Sequence, residues 1–341
     1  MIRIFKNYIK QKIFEQRTKL EFKKKNNHII NVTDLKYYIR SFGKKNPNKV
    51  FYVIQRSPGG GLFSNLNYVI HHLYICEKHN FIPVIDMENF LTKYNSKQKY
   101  NNKYNSWEYY FLRVSKYKLK EVYNSKNVII TDSKTRKLAC FDSFENLNSE
   151  HYKVFKKYIK INKSILNKVK IFKKKYFKNN KILGVHFRGT DMKYQERHPF
   201  PPTLKQIKKE IDLNLKKYRF NKIFLVTEEL ENFDNLRSVY NEKILCFNSF
   251  RSVKTDIFKN NRKFHRPRIG EENLVDMLLL KDTNKIICSN SHLPDASMYF
   301  NKKLRKNVQY IQNGNNSNNL LIAQFLWKIK NVLPKFLGGF D

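Results

Sequence analysis

The sequence predicts an α/β fold in which two doubly wound domains face a cleft. Its 341 residues are enough for two domains of ordinary size. Short runs of β-branched and aromatic residues alternate with longer stretches of helical spacing, as expected where helices connect parallel strands. Several strand-like runs end in glycine, histidine, arginine or acidic residues, and such side chains at the carboxyl ends of strands are typical of a ligand-binding edge.

The first half contains a strand–turn–helix–strand unit. Residues 50–55 form an apolar run that ends at a glycine-rich turn, a helix is predicted over 65–78, and a second strand is predicted over 82–86. A third strand is predicted over 127–131, and one or two lysine-rich helices over 149–178.

The second half shows the same alternation more regularly. Helices are predicted over 204–215 and 273–280. A polar linker over 313–319 precedes a final amphipathic helix over 320–337, with a break near Pro334. The predicted strands are 182–187, 222–227, 243–247 and 285–289.

These elements predict four parts along the chain. They are a basic helical extension (1–48), an N-terminal α/β domain with the glycine-rich turn (49–175), a C-terminal α/β domain (176–312), and a linker with a C-terminal amphipathic helix (313–341).

The net charge of +40 arises from 68 lysine and arginine residues against 28 acidic residues. Only 15 of the 68 are arginine, the residue that bidentate phosphate and base contacts favour. Lysine, asparagine and isoleucine are abundant while alanine occurs three times, a bias typical of A/T-rich codons. Much of the charge is therefore interpreted as solvated background, which argues against a dedicated nucleic-acid-binding protein.

Residues 2–25 have the pattern of a basic amphipathic helix. Such a helix fits either an anionic membrane surface or a terminal position with its apolar face on the core. No run of about 18 apolar residues predicts a membrane span, and no apolar core of a secretory signal precedes residue 26. We therefore expect a cytoplasmic protein, with peripheral contact to the cytoplasmic face of an anionic membrane as a hypothesis for 2–25 and 320–337.

The strongest local signal is the segment 184–191. An apolar strand there delivers His186, Arg188 and Asp191 at its carboxyl end. The planar guanidinium of arginine matches the geometry of a diphosphate. The alternative is that Arg188 pairs with Asp191 for structural reasons.

Further polar residues stand in apolar surroundings or directly after strands. Asp276 interrupts an apolar helix, where an acid is costly to bury without partners, so it is either functional or a structural cap or pair. Ser289 and Ser291 occur where one predicted strand ends, and Thr227 ends another.

The glycine-rich turn contains Gly60 and Gly61 and is followed by Asn65 in the helix. Its N–H groups could approach an anion at the helix N-terminus, although a simple tight turn fits equally well. The chain lacks the Asp-x-Asp, His-Glu-x-x-His and Gly-x-Ser-x-Gly motifs. Metal-chelated diphosphate chemistry and hydrolase triads are therefore not supported, and no metal is expected.

The order of these motifs resembles the fucosyltransferase superfamily of GT-B type, which includes core α1,6-fucosyltransferases, nodulation fucosyltransferases and protein O-fucosyltransferases. The resemblance is loose over residues 50–90 and firmer over 182–300. It implies a GT-B-like pair of Rossmann-like domains, with the acceptor on the N-terminal side and the nucleotide sugar in the C-terminal domain. It further implies GDP-fucose as the donor substrate, a glycan acceptor, and no cofactor.

The resemblance also implies roles for the matched residues. Arg188 matches the arginine that grips the β-phosphate of GDP-fucose, and Asp276 matches the acid that recognises guanine. Glu196 has a spacing from Arg188 similar to that of the general base in the core α1,6 enzyme. The other matches on the donor side are His186, Asp191, Thr227, Ser289, Ser291, Gly60, Gly61 and Asn65.

Two departures from the family pattern limit what the resemblance implies. Gly189 stands where the core α1,6 enzyme has a second arginine, so α1,6 specificity is not implied. Glu228 and Glu229 replace the more usual pair of aspartates, which leaves nucleotide contacts there open.

The predicted activity is a metal-independent, inverting transfer of fucose from GDP-fucose to a glycan hydroxyl. Two alternatives stay open. One is a glycosyltransferase that uses another nucleotide sugar, and the other is a non-catalytic basic protein that binds nucleic acid or a membrane surface.

Overall fold

The computed structural model of the protein describes residues 27–32, 35–57, 60–131, 144, 147–253 and 256–341. The chain divides into two compact units, Met1–Asn162 and Lys163–Asp341. This division lies earlier in the chain than the predicted domain boundary between residues 175 and 176. The basic helix predicted over residues 2–25 lies outside the described residues.

The sheet of the first unit has five strands in the order β1-β2-β5-β3-β4. β3 runs parallel to β4 and β5, whereas β1 and β2 are antiparallel. The first two strands correct the helical extension predicted over 1–48, because aromatic and β-branched residues such as those of 35–40 favour a pleated strand. The strands are β1 (Asn27–Val32), β2 (Leu35–Arg40), β3 (Lys45–Ile54), β4 (Ile82–Ile85) and β5 (Ser125–Ile130).

Within the described part of this unit, the helices are α1 (Leu62–Lys78), α2 (Leu119–Val122) and α3 (Ser149–Tyr158). α1 is buried along most of its length, which agrees with its nearly continuous apolar and aromatic sequence. α3 begins where the Asn148 side chain accepts hydrogen bonds from the backbone N–H groups of Glu150 and His151.

The sheet of the second unit is entirely parallel, in the order β10-β9-β6-β7-β8. Its core contains Leu183, Val185, Leu225 and Ile287, which are fully buried. β10 was not predicted, and β8 is shorter than the predicted strand over 243–247. The strands are β6 (Ile182–His186), β7 (Lys222–Val226), β8 (Ile244–Leu245), β9 (Lys285–Cys288) and β10 (Val308–Tyr310).

The described residues of the second unit form six helices besides its sheet. α5 has the predicted apolar spacing and begins with a capping box between Thr203 and Gln206. α7 begins before the predicted helix over 273–280, because its polar first turns gave no apolar signal. The helices are α4 (Lys163–Tyr176), α5 (Leu204–Tyr218), α6 (Leu230–Tyr240), α7 (His265–Leu280), α8 (His292–Phe300) and α9 (Leu320–Val332).

Residues 313–319, predicted as a polar linker, are partly exposed but make hydrogen bonds to other parts of the second unit. The Gly314 carbonyl oxygen accepts a hydrogen bond from the Phe200 N–H at 2.9 Å. Asn316 is buried, and its Nδ2 donates to the Ala323 carbonyl oxygen at 3.0 Å. The asparagines that made this segment look like a linker are hydrogen-bonding groups for the neighbouring loop and helix.

α9 ends at Val332, next to the predicted break at Pro334, and residues 335–337 form a 3₁₀ turn where the sequence predicted further helix. None of the helices in the described ranges is both long and apolar enough to span a bilayer.

Candidate active site

The candidate site lies in the second unit, at the carboxyl edge of its sheet. β6 is the central strand, between β9 and β7, and all of its residues are buried. Beyond β6, the Phe187 N–H donates to the Val226 carbonyl oxygen at 2.9 Å. Arg188 is therefore the first residue past the sheet, at the edge where open α/β sheets bind ligands.

The Arg188 guanidinium is held between a serine and an acid. Its Nη1 donates to Ser291 Oγ at 3.3 Å, and its Nε lies 4.0 Å from Glu228 Oε1. The same Glu228 oxygen accepts a hydrogen bond from the backbone N–H of Gly189 at 3.1 Å. About a third of the Arg188 side chain (34%) stays exposed, so a positioned guanidinium is accessible to an anionic ligand.

The two predicted serines lie where β9 passes into α8. Ser289 is buried, and Ser291 is the N-cap residue of α8, although its side chain makes no capping bond. Its Oγ accepts the hydrogen bond from Arg188 instead. The first N–H groups of a helix have no partner within the helix and carry partial positive charge. Arg188 and the N-terminus of α8 therefore lie side by side at this edge, an arrangement that is suited to an anion.

Two imidazoles interact with the charge of Arg188, those of the buried His186 and the half-buried His292. Burial, and then the charge of Arg188, lowers the pKa of His186 to about 3. Burial, followed by the charges of Arg188 and His198, lowers the pKa of His292 to about 4. Both rings are therefore neutral near pH 7, and Arg188 is the cation of this group.

His292 and His198 were not among the predicted site residues. His292 belongs to the polar run that directly follows β9. Its position at the end of a strand could therefore have marked it as a candidate site residue. His198 lies on a loop between short elements, and its approach to His292 depends on the tertiary fold.

Gly189 has a physical explanation in the structure. A Cβ atom at this position would lie 2.4 Å from the carboxyl carbon of Glu229. That carboxylate is held by Lys193 Nζ at 2.9 Å and by Asn232 Nδ2 at 2.6 Å. Any larger side chain at position 189 would displace the Glu229 carboxylate from these contacts, which favours glycine there.

Asp276 lies in a second polar cluster of the same unit, on α7. Its side chain is buried, and its Oδ2 accepts a hydrogen bond from Ser249 Oγ at 2.7 Å. Burial raises the pKa of Asp276 to about 7, against the opposing effects of Ser249 and Arg251, and Glu272 raises it further. This carboxyl group is therefore poised between its neutral and charged forms near neutral pH.

Two arginines support this second cluster, and sequence reasoning missed both. The Arg251 guanidinium lies 4.1 Å from the centre of the Phe233 ring and donates to the Ser249 carbonyl oxygen at 3.1 Å. Arg262 forms a two-bond ion pair with Glu272, at 2.7 and 3.2 Å. Because only 15 of the 68 basic residues are arginine, these two arginines could have been noted as candidate site residues, although the sequence does not show what they contact.

Two other predicted site residues differ in burial: Thr227 is buried at a strand end, and Glu196 is half-buried on a loop. Thr227 is buried at the end of β7, and its Oγ1 accepts a hydrogen bond from the Glu229 N–H at 3.4 Å, so it shapes the turn. Glu196 is half-buried on a loop that is fixed where the Arg197 N–H donates to the Ser317 carbonyl oxygen at 3.1 Å. The side chain of Asp191 lies outside the described residues.

No group of three or more His, Cys, Asp or Glu side chains is placed to share a metal ion within the described ranges. The predicted absence of a metal requirement stays a prediction.

The glycine-rich turn belongs to the first unit. Gly60 has a φ of 76°, which favours glycine, and Gly61 is the N-cap residue of α1. Asn65 is buried, and its Oδ1 accepts a hydrogen bond from the Ser57 N–H at 2.8 Å. Asn65 therefore stabilises the turn from within. Arg56, which directly precedes Ser57, is also buried at this strand end and was not predicted as a site residue.

Comparison with solved structures identifies the fold. The structure of NodZ alpha-1,6-fucosyltransferase co-crystallized with GDP superposes with a TM-score of 0.52 and 16% identity, over 78% of this chain and 95% of that chain. The predicted fold is confirmed. The chain has the two-domain α/β architecture of GT-B fucosyltransferases, and the resemblance read from its motifs holds at the level of fold.

Two further structures lie at lower similarity. POFUT1 in complex with GDP-fucose has a TM-score of 0.46 and 8% identity, over 79% of this chain and 99% of that chain. A variant of Arabidopsis thaliana FUT1 in complex with GDP has a TM-score of 0.43 and 10% identity, over 78% of this chain and 71% of that chain. No family model and no curated protein matches the sequence.

Proposed function

We propose that the protein is a glycosyltransferase that moves fucose from GDP-fucose to a hydroxyl group of a glycan, with inversion and without a metal. The observation that carries this proposal is the position of Arg188. Its guanidinium is fixed at the carboxyl end of the central strand, one hydrogen bond from the N-cap residue of α8. A fixed cation beside a helix N-terminus is suited to a diphosphate.

The chemical step breaks the bond between C1 of the sugar and the β-phosphate oxygen. Negative charge then grows on the departing diphosphate, and catalysis requires groups that bind this charge more tightly in the transition state. Arg188 and the first N–H groups of α8 are placed for that role. Because His186 and His292 are neutral near pH 7, the positive charge beside the leaving group is proposed to come from the Arg188 guanidinium.

Recognition of the base is assigned to the cluster around Asp276. A carboxylate can accept two N–H groups from the Watson–Crick edge of guanine, whereas uracil presents only one. The pKa of Asp276, which burial raises to about 7, supports this role, because a bound base would supply hydrogen bonds that favour the charged form. His186, which precedes Arg188 by two residues, is proposed to contact the donor through its buried Nδ1, which has no hydrogen-bond partner among the described residues.

Glu196 is proposed as the general base. Its carboxylate takes the proton of the acceptor hydroxyl as the acceptor oxygen forms its bond to C1, and GDP leaves with the electrons of the broken bond. Attack from the side opposite the leaving group inverts the configuration at C1. The half-buried position of Glu196 on a fixed loop supports this assignment.

The experiment that tests the proposed function compares ligands by thermal shift of the full chain. GDP, UDP, ADP and a short DNA duplex are added at equal concentration, and only GDP is expected to raise the melting temperature strongly. A selective response to UDP would favour another nucleotide sugar, and a response to DNA alone would contradict a glycosyltransferase.

A further inference from the structure

The solvent-facing side of α9 is apolar. Leu321, Phe325, Ile329 and Val332 follow one another at spacings of four, four and three residues, which places them on one helix face. Their exposed fractions are 55%, 60%, 52% and 83%. Phe336 and Leu337, in the short 3₁₀ turn that follows the helix, are also exposed, at 85% and 59%. Such a contiguous exposed patch marks an interaction site more often than scattered apolar residues do.

The opposite side of α9 fixes the helix to the second unit. Ala323 is fully buried, and Lys193 Nζ lies over the Trp327 ring, 5.0 Å from the ring centre. The chain then turns back, so that Phe340 is buried at 5.2 Å from the Phe200 ring and Asp341 accepts a hydrogen bond from Thr203 Oγ1 at 2.9 Å. The apolar face is therefore presented on a helix that is anchored before and after it.

The charges around this face have one sign. The sequence 320–340 contains no acidic residue, and Lys328 and Lys335 lie in α9 and the turn that follows it. Lys330 lies on the opposite side of the helix, where its Nζ donates a hydrogen bond to the Gly338 carbonyl oxygen at 2.8 Å. The whole chain carries a net charge of +40. An apolar helix face with lysines beside it matches the boundary between acyl chains and anionic headgroups.

We propose that the face formed by Leu321, Phe325, Ile329, Val332, Phe336 and Leu337 docks on an anionic lipid bilayer. A bilayer is favoured over a protein partner because the face is a convex helix surface of aliphatic and aromatic residues, which enters a lipid boundary without a matching groove. The lysines then contact anionic headgroups while the apolar side chains enter the acyl region.

The docked helix would also hold part of the candidate site near the membrane. Gln324 Nε2 on α9 donates to the Tyr194 carbonyl oxygen at 3.0 Å, two residues before Glu196 on the same loop. This consequence rests on the proposed function, whereas lipid binding itself does not.

The test is sedimentation of the full chain with vesicles. Vesicles of phosphatidylcholine with about 30% phosphatidylglycerol are compared with pure phosphatidylcholine vesicles at low salt. The double variant Phe325→Asp/Ile329→Asp is compared with the control Ile171→Asp/Leu213→Asp, whose residues are exposed at 60% and 52% on α4 and α5. Both variants change the net charge equally, so they differ in the location of the lost apolar surface.

The wild-type chain and the control are expected to bind anionic vesicles, and Phe325→Asp/Ile329→Asp is expected to bind at least about tenfold less. Unchanged binding of that variant would overturn the proposal, because contact would then occur elsewhere. A wild-type dimer in solution that dissociates in the variant, without vesicle binding, would assign the face to a second copy and also overturn it. A preserved urea unfolding midpoint shows that each variant is folded, and a preserved GDP response separates lipid docking from the proposed activity.

Discussion

Asp276→Asn is the substitution whose effect follows most directly from the structure. The carboxyl group is buried, and its pKa is raised from an ordinary value of 3.8 to about 7. In the unfolded chain the same group ionises near its ordinary value. The folded protein therefore holds an extra proton between about pH 4 and pH 7, and stability falls as pH rises through that window.

The magnitude follows from the two pKa values. Between about pH 5 and pH 8 the raised pKa should lower the free energy of unfolding by about 2–3 kcal/mol. Asparagine does not ionise, and its side-chain oxygen can still accept the Ser249 hydrogen bond. Nucleotide-free Asp276→Asn should therefore lack this decrease and should be more stable than the wild type near pH 8.

The assay is reversible urea unfolding of the wild type, Asp276→Asn and the control Asp234→Asn at both pH values. Asp234 is exposed on α6, so its variant should follow the wild-type pH dependence. The same three proteins are then tested for thermal stabilisation by GDP, which Asp276→Asn should lose. Equal pH dependence in the wild type and Asp276→Asn, or a full GDP response in the variant, would refute the reasoning.

Three further predictions follow from individual contacts. Gly189→Ala should destabilise the protein by about 1–3 kcal/mol in urea unfolding, because the added Cβ meets the Glu229 carboxylate, whereas Gly61→Ala should be nearly neutral because a Cβ there has no atom within 4 Å. Glu196→Gln should lower fucose transfer by about 10²–10⁴-fold while GDP stabilisation is kept; a rate within about threefold of wild type would place the base elsewhere. Ser291→Ala should weaken GDP binding by about 0.5–1.5 kcal/mol in titration calorimetry, because it removes the hydrogen bond that orients Arg188, and unchanged affinity would show that Arg188 needs no such support.

The parts of the fold that the sequence predicted are those with local apolar signals. β6, β7 and β9 are short apolar runs rich in β-branched residues, and almost all of their residues are buried in the structure. A continuous apolar run is the pattern that a fully buried strand shows in sequence. β10 has only three residues, so it is too short to show the alternation of apolar and polar residues that marks a strand. α8 contains Pro294 near its start and was hidden within the polar run after β9.

The candidate site was predictable where one residue type stood out against the composition. Arg188 could be found because it follows a buried strand in a chain whose basic residues are mostly lysine. His198, Arg251 and Arg262 could not be assigned partners from the sequence, because His292, Phe233 and Glu272, which they approach, belong to helices that meet them only after folding. Segment 313–319 shows the same limit, since its polar residues look solvated in sequence but form tertiary hydrogen bonds.

The central claim is that Arg188 stabilises the diphosphate of a departing GDP. Donor hydrolysis over a panel of GDP and UDP sugars tests it most directly, with wild type, Arg188→Ala and the control Arg305→Ala, whose side chain is exposed. The wild type and Arg305→Ala are expected to release GDP from GDP-fucose, and Arg188→Ala is expected to lose at least about a hundredfold in rate. Turnover retained in Arg188→Ala, or wild-type activity confined to UDP sugars, would contradict the account.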